Sequence, residues 1–125
     1  MITMDEAKEV IRKYPCLKYC DCTGWTFSAD EFRITCHDDD IDNWNNTVAV
    51  YFFNVELKDL NNGNRHYFNE FVINAAGKIE TRENFTINKR KIKTAKHLDE
   101  FLADFVYKFK QAKSQCKLAK MNKDF

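Results

Sequence analysis

The spacing of apolar residues at the start of the chain predicts an amphipathic helix over residues 4–14. Thr3 and Glu6 have capping-box spacing, in which each side chain accepts a hydrogen bond from the backbone N–H group of the other residue. Pro15 disfavours helical geometry at the residue before it, so the helix is expected to end there. One face of this helix carries Ala7, Val10, Ile11 and Tyr14.

From Trp25 onward the apolar period changes to two, which is typical of β-strands. Two short alternating segments cover residues 25–27 and 32–36, with a polar Ser-Ala-Asp-Glu sequence between them. The strongest strand signal covers residues 47–59, which are rich in β-branched and aromatic side chains and apolar on both faces at first. We therefore expect this strand to be central in the sheet.

Two turn signals connect the later strands. Residues 61–64 contain Asn-Gly, which accepts the positive φ angles of a tight turn, and residues 66–74 follow as the returning strand. A second turn at Ala76 and Gly77 precedes residues 78–88. One face of this last segment carries Ile79, Thr81, Phe85 and Ile87. Consecutive strands joined by tight turns predict an antiparallel meander of about five strands.

A long amphipathic helix is predicted after Thr94, which suits an N-cap position. Its apolar stripe consists of Leu98, Phe101, Leu102, Phe105, Val106 and Phe109. Burying these six side chains would contribute roughly 12 kcal/mol before entropy is counted, comparable with the net stability of a whole domain. The helix is therefore expected to pack on one face of the sheet. The lysine-rich tail from about residue 113 is expected to fray.

These elements predict one α+β domain over residues 1–125, with an N-terminal helix and a long C-terminal amphipathic helix beside an antiparallel meander. The composition, 44% hydrophobic and 31% charged, allows a core that needs no metal or disulfide. Because no apolar run approaches roughly 18 residues, and the N-terminus is charged and amphipathic, we expect a soluble, cytoplasmic protein. Its five cysteines are expected to be reduced.

The net charge of +1 conceals an asymmetry along the chain. Residues 1–60 carry six Lys or Arg against twelve Asp or Glu, whereas residues 61–125 carry fourteen against seven. If the fold keeps these charges apart, the surface can steer a charged partner to one side of the molecule.

The cysteines raise the question of a zinc site. Cys16, Cys20, Cys22, Cys36 and His37 lie within 22 residues, but their spacing is not that of the usual zinc knuckles. Neighbouring residues on a strand point to opposite faces, so Cys36 and His37 would rarely bind one ion. We favour unligated thiols, with zinc as the alternative, and predict no cofactor.

Calcium and catalysis have weaker signals. Asp38, Asp40 and Asp42 resemble the opening of an EF-hand loop, but Asn43 and Ala49 occupy the positions that need Gly and Glu. The three histidines are His37, His66 and His97. None of them lies in a recognisable catalytic motif, so we expect no enzyme.

The basic half of the chain leaves a nucleic-acid-binding module open as an alternative, because Lys and Arg can neutralise phosphates. The candidate residues are Lys89, Arg90, Lys91 and Lys93, continued by Lys108, Lys110, Lys113, Lys117, Lys120 and Lys123. Against this alternative, the isoelectric point is about 7.6 and no aromatic residue is interleaved with the basic run for base stacking.

The leading candidate site is residues 36–44, Cys-His-Asp-Asp-Asp-Ile-Asp-Asn-Trp, which we call the acidic loop. Its aspartates repel one another, so folding alone offers no reason to crowd them. Binding to a cationic partner would offer such a reason. The tryptophan adds an amphipathic ring of the kind that anchors interfaces. The candidate contact residues are Asp38, Asp39, Asp40, Asp42 and Trp44, with Asp21, Asp30 and Glu31 as outlying support.

We therefore hypothesise a protein-binding inhibitor of the immunity (antitoxin) or anti-defence type, which neutralises a partner protein such as a nuclease-like toxin through the acidic loop. The partner is expected to have a basic contact surface. Two other readings stay open: an ordinary solvated loop with Trp44 tucked into the core, and a metal-binding protein or small enzyme.

Overall fold

The computed structural model describes residues 2–22, 30–53, 59–60, 65–74, 77–84 and 92–123. The elements are α1 (Met4–Arg12), β1 (Leu17–Cys22), β2 (Asp30–Cys36), β3 (Thr47–Phe53), β4 (Arg65–Ile73), β5 (Ile79–Glu83) and α2 (Ala95–Lys123). The strands form one sheet in the order β1-β2-β3-β4-β5, each antiparallel to the next. The predicted α+β class and five-stranded meander are confirmed, and β3 is the central strand.

The first described strand precedes the segments that the sequence pattern indicated. Strand β1 spans Leu17–Cys22, a segment in which buried Leu17 and half-buried Tyr19 alternate with exposed Lys18 and Cys20. The predicted strand at residues 25–27 lies outside the described residues. So do the 61–64 turn, residues 54–58 of the long predicted strand, Ala76, and Phe85 and Ile87. Gly77 has a φ of 77°, as its predicted turn position requires.

Helix α1 begins with the predicted capping box. The Glu6 N–H donates to Thr3 Oγ1, and the Thr3 N–H donates to Glu6 Oε1, both at 3.2 Å. The helix ends at Arg12, two residues earlier than predicted. The N–H groups of Lys13 and Tyr14 each donate to the carbonyl three residues back, which tightens the last turn ahead of Pro15.

Both helices pack against the same face of the sheet and share one apolar core. Cross-strand partners on this inner face are Leu17 with Cys36, Tyr19 with Ile34, Phe32 with Tyr51, and Ala49 with Phe68. Tyr14 and Lys13, just after α1, bond to the Asp99 carboxylate of α2, so the two helices also hold each other. The predicted position of the long helix on the sheet is confirmed.

Helix α2 meets the sheet through aromatic side chains of β4. The Phe101 ring lies 4.9 Å from the Phe68 ring, and the Phe105 and Phe109 rings lie 3.8 and 5.2 Å from the Phe71 ring, between centroids. Phe68 and Phe71 are three positions apart, yet both face the helix. Strand β4 therefore changes face between them, where its pairing passes from β3 to β5.

Helix α2 continues without a break to Lys123, and Cys116 on it is buried. The apolar stripe thus extends one turn past residue 113. The predicted fraying of the tail stays a prediction. Within the described ranges, no helix combines the length and the apolar content that crossing a bilayer requires.

Candidate protein-interaction loop

The acidic loop connects β2 to β3, and backbone hydrogen bonds close its base. The Cys36 N–H donates to the Asn46 carbonyl at 2.9 Å, and the His37 N–H donates to the Cys16 carbonyl at 2.8 Å. The second bond continues the ladder between β1 and β2 by one residue. Both ends of the loop are therefore attached to the sheet.

The middle of the acidic loop is bonded to β5. The Asp42 N–H donates to the Ile79 carbonyl at 2.7 Å, and the Ile79 N–H donates to the Asp40 carbonyl at 2.9 Å. Ile41, between these two aspartates, therefore forms a parallel bridge with Ile79. Just beyond the loop, the Asn45 carbonyl accepts from the Thr81 N–H at 2.8 Å.

These bonds occupy the edge of β5 that faces away from β4. The Lys78 carbonyl accepts from the N–H of Asn74, just after β4, and the Asn84 N–H donates to the Phe68 carbonyl of β4. The backbone groups of even-numbered residues in this segment therefore point towards β4, and those of the odd-numbered Ile79 and Thr81 point away from it. Unpaired strand edges are sites of unwanted pairing with other chains. The acidic loop covers part of this edge with its own backbone.

Two of the aspartate side chains support the fold of the loop itself. Asp38 Oδ1 accepts from the Asp40 N–H at 3.0 Å, and Asp42 Oδ1 accepts from the Trp44 and Asn45 N–H groups at 2.7 and 3.2 Å. These are Asx-type turns, in which a side-chain oxygen replaces a backbone acceptor. The expectation that folding offers no reason to crowd these aspartates is therefore wrong.

A lysine from the far end of the chain also meets the acidic loop. Lys113 Nζ on α2 lies 2.8 Å from Asp38 Oδ2 and 3.8 Å from Asp40 Oδ2. Burial opposes ionisation of Asp38, but the hydrogen bonds from Lys113 and from backbone N–H groups outweigh it, so its pKa is lowered. The same hydrogen bond raises the pKa of Lys113. One of the four negative charges is thus neutralised within the molecule.

Replacing Lys113 with methionine is expected to lower the free energy of unfolding by about 1 kcal/mol at neutral pH, because it removes the cation and keeps an apolar stem. The pKa of Asp38 is lowered in the folded state, so the pair stabilises fully above the ordinary aspartate pKa of about 3.9. That stabilisation is lost as the pH falls through the lower folded value. Urea denaturation at pH 7 and in acid measures both effects.

Lys108→Met is the matched control, because Lys108 pairs with Asp104 on the exposed surface of α2 at 2.9 Å. Its cost is expected to stay below about 0.5 kcal/mol. Equal costs for the two variants at pH 7 would contradict a structural role for the Lys113 pair.

Trp44 lies at the end of the acidic loop with 92% of its surface exposed. The reading in which this side chain is tucked into the core is wrong. Its backbone N–H is held by Asp42, so the ring projects from an ordered turn. Asp39 is also exposed, whereas Asp38, Asp40 and Asp42 are half-buried. The acidic loop therefore presents one large aromatic ring beside the remaining negative charge.

Of the outlying acidic residues, the one whose side chain is described, Glu31, does not extend this surface. Glu31 is only 8% exposed, and its carboxylate pairs with the Arg33 guanidinium at 3.0 Å. The expectation that Glu31 supports partner binding is wrong for that reason. The side chains of Asp21 and Asp30 lie outside the described part of the structure.

The candidate metal ligands are divided between the two faces of the sheet. The Cys36 side chain lies in the core and contacts Cys16, whereas Cys20 is exposed and pairs across the ladder with Arg33 on the other face. The side chain of Cys22 is not described. Among the residues that are described, no three His, Cys, Asp or Glu side chains are grouped to hold a metal ion.

The histidines have separate surroundings. Nε2 of exposed His37 lies 2.8 Å from Thr35 Oγ1. His66 is half-buried, with its ring 5.7 Å from that of Tyr51 and 5.4 Å from that of Phe68, and burial lowers its pKa. His97 is exposed at the start of α2. The three are thus on different elements of the fold.

The basic residues of α2 are interleaved with acidic ones. Lys96, Lys108, Lys110 and Lys117 are exposed. Asp99, Glu100 and Asp104 share the same helix. Lys89, Arg90 and Lys91 lie outside the described residues. The described lysines therefore do not form the uninterrupted basic stripe that favours nucleic acid.

A groove of about 330 Å³ lies between α2 and β4, and Asn84, just after β5, also lines it. Phe71, Phe101 and Phe105 form its apolar floor, and polar side chains such as Glu70, Asp104 and Gln111 form its rim. This groove was not predictable from the sequence, because its walls come from elements far apart in the chain. The roles of Ile41 and Lys113 were also missed. The one available signal was that Ile41 is the single aliphatic residue among the aspartates.

Comparisons of the chain with protein-family models, with curated proteins and with solved structures find no match.

Proposed function

We propose that this chain is a small cytosolic protein that binds and inhibits another protein, as immunity and anti-defence proteins do, and that the acidic loop is its contact surface. The observation that carries the proposal is the exposure of Trp44 on an ordered loop. A tryptophan exposes a large apolar area at a cost in hydration, and buried tryptophans are among the commonest energetic centres of interfaces.

The charge around Trp44 indicates the chemistry of the partner. Four aspartates lie within seven residues of it, and Lys113 compensates one of them. The net negative potential that remains favours a partner with a basic contact surface, such as the cleft of a nuclease-like toxin. The order of the loop also matters, because a surface held in place before binding loses little conformational entropy on association.

Trp44→Ala is expected to weaken binding to the partner by at least about 30-fold, which corresponds to roughly 2 kcal/mol at an interface centre. The partner is first captured from a lysate of the native host on immobilised wild-type chain. The captured protein is then purified, and its dissociation constant is measured by calorimetry with each variant. The wild-type chain is also expected to inhibit the activity of the captured protein at a one-to-one ratio.

Tyr107→Ala is the matched control, since Tyr107 is an aromatic residue 62% exposed on α2. It is expected to leave the affinity unchanged. In the double variant Asp39→Asn with Asp42→Asn, the amide oxygen at position 42 can still accept from the Trp44 N–H. This variant is expected to weaken binding and to flatten its salt dependence.

Three outcomes would overturn the proposal. The first is a partner that binds Trp44→Ala as tightly as the wild type, and the second is an acidic contact surface on that partner. The third is tight binding of the chain to a generic DNA duplex with a steep salt dependence, which would support a nucleic-acid-binding module instead.

A further inference from the structure

Cys16 and Cys36 lie next to each other beside the base of the acidic loop. Leu17 is the cross-strand partner of Cys36, and the Cys16 carbonyl accepts the His37 N–H, so the two cysteines are offset by one residue across the ladder. Cys16 lies in the turn before β1, where strand alternation does not apply, and its side chain packs against the core that contains Cys36. Neighbouring strands are roughly 5 Å apart, within the Cα separation that a disulfide spans. The two side chains are near enough to share a thiol–thiol hydrogen bond.

The two thiols differ in exposure and in acidity. Cys16 is half-buried at the surface, whereas Cys36 is fully buried. The hydrogen bond from Cys36 lowers the pKa of Cys16 to about 7, against an opposing effect of burial. Donating that bond, together with burial, raises the pKa of Cys36. Asp38, Lys110 and Lys113 are the charged groups that face the pair, and the two lysines favour a thiolate.

We propose that Cys16 and Cys36 form a dithiol that hydroperoxides oxidise to a disulfide, with Cys16 as the thiol that reacts first. The other described cysteines lack this arrangement. Cys20 lies on the opposite face of the sheet, and Cys116 lies in the core on α2.

The reaction proceeds in two steps with hydrogen peroxide as the oxidant. The Cys16 thiolate attacks one peroxide oxygen, the O–O bond breaks, and Cys16 becomes a sulfenic acid as hydroxide leaves. The Cys36 sulfur then attacks the Cys16 sulfur. The S–O bond breaks, the second hydroxide takes the Cys36 proton, and water leaves as the disulfide forms. The first hydroxide takes up the proton that Cys16 released, so one hydrogen peroxide is reduced to two water molecules and two thiols are oxidised to one disulfide.

The new bond would join the turn before β1 to the end of β2, where the acidic loop begins. Oxidation would thus replace a hydrogen-bonded attachment of the loop with a covalent one. The inference does not depend on what the loop binds, because it rests only on the positions of the two thiols.

The first experiment treats the reduced, folded full-length chain with graded hydrogen peroxide at pH 7, followed by alkylation and non-reducing peptide mapping. The expected product has lost two hydrogen atoms and contains a peptide that links Cys16 to Cys36. Cys20 and Cys116 are expected to stay alkylatable. Without peroxide, the alkylation rate of Cys16 is expected to rise with pH through a midpoint near 7, instead of the 8.5 of an ordinary thiol.

Two variants separate the roles of the thiols. In Cys36→Ala the sulfenic acid on Cys16 has no thiol to react with, so dimedone is expected to trap it there. The pH midpoint for alkylation of Cys16 is expected to rise in the same variant. Cys20→Ala is the matched control and is expected to give the same disulfide as the wild type. If Cys36→Ala does not fold, the mapping and the pH profile of the wild type decide the matter.

The proposal is overturned if peroxide links Cys16 to a cysteine other than Cys36, or if another thiol is oxidised before Cys16. It is also overturned if Cys16 titrates like an ordinary thiol.

Discussion

Replacing Ile41 with alanine is expected to lower the free energy of unfolding by about 2 to 4 kcal/mol. Ile41 is only 2% exposed, although it lies among aspartates, and it is bridged to buried Ile79. Removing its side chain leaves a cavity in the core. The two backbone hydrogen bonds between the acidic loop and Ile79 would then no longer be backed by buried apolar packing. Urea denaturation measures the loss of stability, and limited proteolysis measures the accompanying opening of the loop.

Ile73→Ala is the matched control. Ile73 is the cross-strand partner of the same Ile79 on the β4 side, but 45% of it is exposed. Its loss is expected to cost less than about 1 kcal/mol, since little area is buried. Similar costs for the two isoleucines, or a loop no more sensitive to protease in Ile41→Ala, would show that the acidic loop is not anchored through Ile41.

The largest loss of stability is expected for Phe68→Ala, at about 3 to 5 kcal/mol. Phe68 is fully buried on the inner face, and its ring lies 5.7 Å from that of Tyr51 and 4.9 Å from that of Phe101 on α2. The variant would lose this aromatic packing and leave a cavity between the sheet and the helix. Chemical denaturation followed by circular dichroism measures the change.

Tyr67→Ala tests whether the two faces of the sheet contribute unequally to stability. Tyr67 precedes Phe68 in the chain, faces the other side of β4, and lies half-buried with its ring 6.2 Å from that of Phe52. Its replacement is expected to cost less than half as much as that of Phe68. If both replacements cost the same, the core is not confined to the helix-covered face.

The regular elements were predictable because their signals are local. The capping box of Thr3 and Glu6, the three- and four-residue spacing of Leu98 to Phe109, and the alternation in β2 and β5 can each be read within one short window. Strand β1 was missed although Leu17 and Tyr19 alternate with polar residues. The cysteines of this segment suggested metal ligands, which drew attention away from its strand pattern. Its six residues also include only two large apolar side chains, too few for a clear alternation.

The candidate loop was found from its composition, but its structure was not predictable. The aspartates indicated charge, whereas the contacts that organise them join Ile41 to Ile79 and Asp38 to Lys113, the latter across 75 positions. No periodicity within the loop encodes such pairings. The exposure of Trp44 was also undecided, because a tryptophan suits a core and an interface equally well until its neighbours are known.

The attachment of residues 36–44 to β5 and Lys113 has a consequence for biosynthesis. A ribosome adds residues one after another, and domains generally fold as units once their sequence is complete. Ile79 and Lys113, which bond to the loop that carries Trp44, belong to parts of the polypeptide made well after that loop. A nascent chain therefore cannot complete these attachments of the acidic loop before Lys113 has left the exit tunnel.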